Sequence, residues 1–305
     1  MNTWLNRIAI LTAVLTWILV VVGALVTSTG SGLSVPDWPL SFGQFFPPMV
    51  GGVLFEHGHR MIAGVVGLLA IVQAIFAFLV EKRGWVKALF ASCVALVIVQ
   101  AVFGGLTVLH QLPVALSVVH ACLGQLFFCL AIIAAAVTLP AWNKQYEPLS
   151  DSGWLSTRTL CILLFSSLFV QLLLGAYMRH LNAGLAIPDF PLSFGSIVPP
   201  FLSEKIAVNF AHRAWALPAS ALVVWVMSRI YIQFSNRLGL VGLAGVLAWL
   251  VVLQLMLGAL IIWLGRPVGI ASAHVAVGAL VLGCVCLLTV IIFRLHSNKT
   301  AFPRA

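Results

Sequence analysis

The run Glu56-His57-Gly58-His59-Arg60 decides how the rest of the chain is read. It gathers one acid, two imidazoles and a guanidinium just before the apolar run 61–80, at one end of a membrane helix. Ionisable groups at the edge of lipid are costly and are kept for a task. The second half repeats the run as Asn209-Phe210-Ala211-His212-Arg213. The His-Arg pair is retained there and the acid is not.

Composition supports the membrane setting. Of 305 residues, 62% are hydrophobic and 8% charged, against roughly 25% charged in a soluble domain. The net charge of +9 comes from Lys and Arg scattered in ones and twos between apolar runs. That is the pattern of topology signals, and it excludes nucleic acid as a partner. The six cysteines (Cys93, Cys122, Cys129, Cys161, Cys284 and Cys286) all fall inside apolar runs, so they read as small packing residues and not as a disulfide framework. The N-terminal apolar stretch is too long for a signal peptide and is expected to stay as a mature helix.

Eight apolar spans follow one another, at about 8–27, 57–80, 86–109, 115–139, 158–178, 206–228, 238–264 and 268–293. Each is long enough to cross a bilayer. Arg7, Lys82, Arg83, Lys87, Lys144, Arg158, Arg229, Arg237, Arg294, Lys299 and Arg304 fall on one side, and Arg179, Lys205 and Arg266 on the other. The positive-inside rule then places both termini in the cytoplasm and the long loops 28–55 and 180–205 outside. Trp4, Trp85, Trp142, Trp154 and Trp263 sit near span ends, as interfacial anchors do.

The chain is also an internal repeat. Gly32-Leu33-Ser34-Val35-Pro36-Asp37-Trp38-Pro39-Leu40-Ser41-Phe42-Gly43 reads again as Gly184-Leu185-Ala186-Ile187-Pro188-Asp189-Phe190-Pro191-Leu192-Ser193-Phe194-Gly195. Gln100, Gly104, Pro113, His120 and Gly124 answer to Gln254, Gly258, Pro267, His274 and Gly278, with the offset drifting only from 152 to 154. Four spans per half put both halves in the same orientation, so the pseudo-twofold axis runs along the membrane normal. The expected architecture is all-α: eight transmembrane helices as two four-helix bundles in a parallel repeat. The halves are 1–142 and 158–305, joined by a cytoplasmic linker, 143–157.

Four histidines obey the repeat: His59, His120, His212 and His274. In each half the pair lies a few residues in from the external side, on two helices, at matched depth. Two imidazoles so placed are what axial haem ligation needs. Arg60 and Arg213 stand next to two of them, where a guanidinium could pair a haem propionate. Zinc lacks a third and fourth ligand. His57 answers to Phe210 and reads as a surface or pocket-lining group; His110, His180 and His296 read as exposed polar residues.

Glu56, three residues before His59, shares its helix face. A di-iron site of the Glu-x-x-His kind would need several more carboxylates, and the chain has only seven acids. Beside a haem on His59, Glu56 would stand at the edge in the first half only, with Asn209 in its place in the second. One half is equipped for reaction and the other for holding a redox centre. Asp37 and Asp189, flanked by prolines, read as turn or cap residues in structured lids over the two bundles.

In these residues the chain resembles the haem A synthase family, membrane enzymes that convert haem O to haem A for terminal oxidases. The resemblance spans nearly the whole chain: eight spans, two halves, four repeat-matched histidines and the run Glu56, His59, Arg60. It implies oxidation of a haem O methyl group to a formyl group by successive hydroxylations. His59 and His120 would hold the substrate haem, and His212 and His274 a haem b serving as electron relay. Glu56 would be the essential carboxylate, Arg60 a propionate contact and Arg213 a contact to the haem b. The resemblance also implies a bacterial-type plasma membrane with the haem sites toward the outside. Hand-over would run from haem O synthase and on to terminal oxidase assembly, from an electron donor the sequence does not name. Many members carry a cysteine pair in the first external loop; this chain has none between Thr27 and Phe55, so a thiol-based step is not available there.

Two rival classes make different demands. A di-haem electron-transfer cytochrome of the b type would use both haems equivalently and need no Glu56. A two-repeat transporter would put polar groups at the midplane, whereas here they crowd the external end.

Overall fold

The computed structural model describes residues 3–144 and 146–297; Lys299 and Arg304 lie outside them. Among these residues the regular secondary structure is all helical, with two isolated bridges, Ser41–Gln44 and Ser193–Ser196, in the loops. Eight helices are long and apolar enough to cross a membrane. They are α1 (Thr3–Ser28), α2 (Gly52–Val80), α3 (Gly84–Leu109), α4 (Val114–Val137), α5 (Thr157–His180), α6 (Glu204–Gln233), α7 (Leu238–Trp263) and α8 (Val268–Ser297). Large apolar side chains such as Leu68 (62% exposed) and Val224 (65%) line their outer faces. Solvent would not tolerate so much bare hydrocarbon, and lipid does. The protein is a multi-pass membrane protein.

The helices run beyond the apolar spans where polar groups find partners. α2 begins at Gly52 and not near 57, because Gly51, at φ 56°, ends the loop and Glu56 and His57 are buried from the first turns onward. α6 runs on past 228 to Gln233, since Arg229 reaches Asp151 at 3.1 Å and the carbonyls of Ser152 and Leu155. The segment around 146–156 is therefore not a loose tether. Leu149 is buried, its N–H donates to the Leu295 carbonyl, and it packs with α5, α6 and α8.

Packing follows the repeat. α1 lies on α2, α2 on α3, α3 on α4 and α4 back on α1; α5 to α8 close a second ring in the same way. Across the seam α1 meets α8, α4 meets α5, and α4 meets α8. Exchanging the two halves maps this set onto itself, which puts the pseudo-twofold axis between α4 and α8. The two helices approach closely at Gly283, where a methyl group would lie 2.5 Å from Ile132 Cδ1. Around it Cys129, Leu282 and Cys286 form a buried apolar cluster with Phe165 and Phe169.

Candidate functional site

The four repeat-matched histidines sit six to eight residues into α2, α4, α6 and α8, roughly 9–12 Å below the helix starts. Each is half-buried and each faces a glycine on the neighbouring helix. A methyl group added to Gly23 would lie 3.0 Å from His59 Cε1; at Gly104 it would lie 3.0 Å from His120 Cε1. At Gly175 it would lie 2.8 Å from His212 Cε1, and at Gly258 3.3 Å from His274 Cε1. A methyl would push the ring aside at Gly175 and crowd it at the other three. The four glycines recur in register in the sequence, but nothing in the sequence says that a ring lies against each.

The rings of His59 and His120 lie within electrostatic reach of each other, as do those of His212 and His274. Each ring is also turned toward the backbone of the residue one helical turn before its glycine: Leu19, Gln100, Gln171 or Gln254. The approach falls short of hydrogen-bond geometry, and all four Nδ1 atoms are buried without a partner. A buried imidazole nitrogen left open is expensive. It is resolved when Nε2 takes a metal and Nδ1–H settles on a backbone carbonyl. Two imidazoles per half, with glycine-lined walls and that orphaned nitrogen, fit axial ligation of a haem. Among the described residues no group of three or more His, Cys, Asp or Glu gathers around a bare metal ion.

Above each pair lies a lid built on one plan. In the first, Asp37 accepts from the N–H of Phe42 at 2.7 Å and of Gly43 at 2.8 Å; in the second, Asp189 accepts from Phe194 at 2.7 Å and Gly195 at 2.8 Å. Phe42 and Phe194 have φ near 54–55°, a left-handed turn that these carboxylates hold in place. The Gly43 and Phe42 amides hold the Asp37 carboxyl below its ordinary range, and those of Gly195 and Phe194 do the same for Asp189. Trp38 presses into α3, where a methyl on Gly105 would lie 2.6 Å from its ring.

Arg60 and Arg213 tie these lids to α2 and α6. Arg60 Nη1 donates to the carbonyls of Asp37 (2.7 Å) and Leu40 (2.9 Å), and Nη2 to Val35 (3.1 Å) and to Glu56 Oε1 (2.6 Å). Arg213 repeats this on Asp189 (2.7 Å), Leu192 (3.4 Å) and Ile187 (2.7 Å). Glu56 is buried, and its Oε2 accepts the Val35 N–H at 2.8 Å. Asn209 takes the same place differently: its amide donates to the carbonyls of Ala183 (2.8 Å) and Gly184 (3.2 Å), and its Oδ1 has no partner.

His57 is buried and not on the surface. Its Nδ1 lies 2.7 Å from Ser41 Oγ under the first lid, while Nε2 is unpartnered. His296 is also buried, with Nε2 3.5 Å from Asp151, because the linker folds over the end of α8. His180 is half-buried against the seam, in electrostatic reach of His120. For His57 this leaves the pocket-lining alternative and removes the surface one. His180 and His296 are not the exposed residues the sequence suggests, because the seam and the linker that cover them are invisible in it.

Fold and site together define a helical membrane protein with two symmetry-matched imidazole pairs, each under a tethered lid. The family model described as "Cytochrome oxidase assembly protein" (COX15-CtaA) matches residues 6–52 and 50–286, and the chain belongs to that family. It is similar to the heme A synthase of Shouchella clausii, 28% identical over 98% of this chain and 100% of the relative. The heme A synthase of Bacillus licheniformis is 26% identical over 96% and 98%, and that of Listeria monocytogenes 28% over 98% and 99%.

Proposed function

We propose that the protein is a haem A synthase, an oxidoreductase that takes a methyl group of haem O to a formyl group through successive hydroxylations. His59 and His120 hold the substrate haem in the half 1–142. His212 and His274 hold a haem b in the half 158–305, beyond the linker 143–157, as electron relay. Both termini are cytoplasmic and the haem sites lie toward the outside of a bacterial-type plasma membrane. Haem O arrives from its synthase, and haem A leaves for terminal oxidase assembly. The observation that carries this reading is the single acid in an otherwise duplicated site: Glu56 stands where the second half has Asn209.

The bound haem b supplies one-electron chemistry; the chain's own residues supply position and charge. Glu56 is held by the Val35 N–H and the Arg60 guanidinium, so its carboxylate is aimed before substrate arrives. From there it stabilises positive charge developing on the carbon being oxidised, or holds a water against it. Arg60 has its terminal N–H groups engaged by the lid and Glu56, which leaves Nε–H as its donor for a propionate. Arg213 has three engaged by its lid, which leaves Nε–H and one Nη2–H. Through the same bonds they couple propionate binding to lid closure.

The test is to express the protein with and without a supply of haem O and to analyse extracted haems by mass. Hydroxylated and formylated haem should appear only when haem O is supplied and Glu56 is present. A protein that binds two haems yet never alters haem O would be the electron-transfer cytochrome instead.

A further inference from the structure

The seam between the halves carries cations that the first-half sequence does not match. Arg179, near the end of α5, answers to Thr27, and Arg266, just beyond α7, answers to Leu112. The substitution at 266 is otherwise conservative in placement: Leu112 rests against Gly32 of the first lid, and the Arg266 stem rests 3.8 Å from the Cβ position of Gly184 in the second. What changes is the charge at its tip.

Arg179 crosses from one half to the other. Its Nη2 donates to the carbonyl of Ala24 at 2.6 Å and to Ser28 Oγ at 2.7 Å, both on α1, and Ser28 also accepts from Ser272 of α8 at 3.0 Å. These bonds use both protons of Nη2 and leave Nε–H and Nη1 without a partner among the described residues. The Arg179 and Arg266 guanidiniums are close enough to repel, and Arg179 also lies within electrostatic reach of His180 and His274. Arg179 thus has Arg266, His180 and His274 around it at the outer end of the seam.

No acid of the chain answers them. Glu56 is engaged by Arg60, Glu81 by Arg83, Asp151 by Arg229, Glu147 by Arg237 and Glu204 by Tyr177. Asp37 and Asp189 are closed on their own lids. The C-terminal end of α1 favours a nearby cation, which accounts for one edge of Arg179. It does not account for a second guanidinium brought beside the first. Arg179 is half-buried and Arg266 exposed, and an anion held by the open donors would offset their repulsion.

We propose that Arg179, supported by Arg266, forms a carboxylate site whose ligand is a propionate of the haem in the second half. This rests on the haem reading above. The open Nε and Nη1 edge of Arg179 has the fork geometry that a carboxylate accepts, and His274 is the ligand candidate within its reach. The site also ties the second haem to α1, one residue from the Gly23 that faces His59, and so makes it a link between the two halves.

The test is to titrate full-length protein, freed of haem, with haem b and with haem b whose two propionates are methyl esters. A His59→Ala background confines the readout to the second half. The protein with Arg179 intact should prefer the free acid, and Arg179→Gln should erase about ten- to a hundred-fold of that preference, the worth of a hydrogen bond to a charged group. Arg266→Gln, on an exposed side chain, should erase a smaller part and keeps the test open if Arg179→Gln fails to assemble. Both variants keeping the full preference for the free acid would overturn the proposal while leaving the haem site standing. No haem binding in any of these proteins would instead remove the haem reading, and this site with it.

Discussion

The two halves share helices, lids and imidazoles, and differ in where they leave polar groups unanswered. The second half is the better sealed. Val226, Ala271 and Ala279 stand where the first half has Gln73, Ser117 and Gln125. Gln73 is buried with neither amide atom partnered, and the Ser117 hydroxyl and Gln125 Oε1 are likewise unpartnered. In the second half the unusual groups are cations gathered at the seam. A duplicated fold relaxes toward packing wherever function does not hold it, so the departures from symmetry point to the work. On the proposed function, the acid would make the first half the reactive one, and the seam cations would surround the centre held by the second.

The largest expected effect tests the acid. Glu56→Gln should lower haem A formation by at least about a hundred-fold, as loss of a group that stabilises charge in the transition state does, with both haems still bound. Asn209→Ala should leave the rate within a few-fold and act through stability, because it removes only the bonds to Ala183 and Gly184. Comparable losses from the two changes, measured as haem A per bound haem O, would end the idea that the halves are specialised.

Next come the glycines that face the rings. Overpacking costs about 1–3 kcal/mol where neighbours cannot yield. Gly175→Ala, with its methyl 2.8 Å from His212, should displace that ring most, and Gly23→Ala at 3.0 Å should displace His59. Gly258→Ala, at 3.3 Å from His274, should be mildest. Haem content and the low-spin absorption spectrum of each variant give the measurement. Losses that fail to follow the order of the distances would mean that the rings are free to move aside.

Much of this was legible before any coordinates. The spans, the repeat and the four histidines follow from apolar length and from residue identity at a fixed offset, which are properties of the chain alone. The glycine walls, the buried His57 and the seam cations were not legible, for one physical reason. Each depends on which helix neighbours which, and hydrophobic periodicity is weak when lipid and core are both apolar. The role of Arg60 shows the limit: its position beside His59 points to a propionate, while its bonds to three lid carbonyls become visible only with the loop folded over it.

Gln73 offers a subtler way to sharpen the contrast. Gln73→Leu imports the apolar solution of the second half and removes two unpartnered buried groups, so thermal stability in detergent should rise by about 1–2 kcal/mol. A rise without loss of haem A formation would make Gln73 a relic. A rise with loss of activity would place the buried amide in the working interior of the first half, and no rise would show that the amide is already satisfied.

The smallest effects concern the lids, and they follow the sign of the carboxylate shifts. Asp37 and Asp189 titrate below their ordinary value of 3.8 because backbone amides hold the charged form, Gly43 then Phe42 in one lid and Gly195 then Phe194 in the other. A lowered carboxyl stabilises the fold fully above the unfolded value and loses that contribution as pH falls through the folded one. Amide exchange at Phe42, Gly43, Phe194 and Gly195 should therefore keep constant protection from neutral pH down to about 4 and lose it below. Asp37→Asn should abolish this transition in the first lid alone. The lids part company at their inner edge, where the Val35 N–H is held by Glu56 and Ile187 has no acid opposite it. Glu56→Gln should accordingly speed exchange at Val35 while leaving Ile187 unchanged. An equal response at both residues would show that the acid tethers no lid, and that the asymmetry is confined to the chemistry beneath.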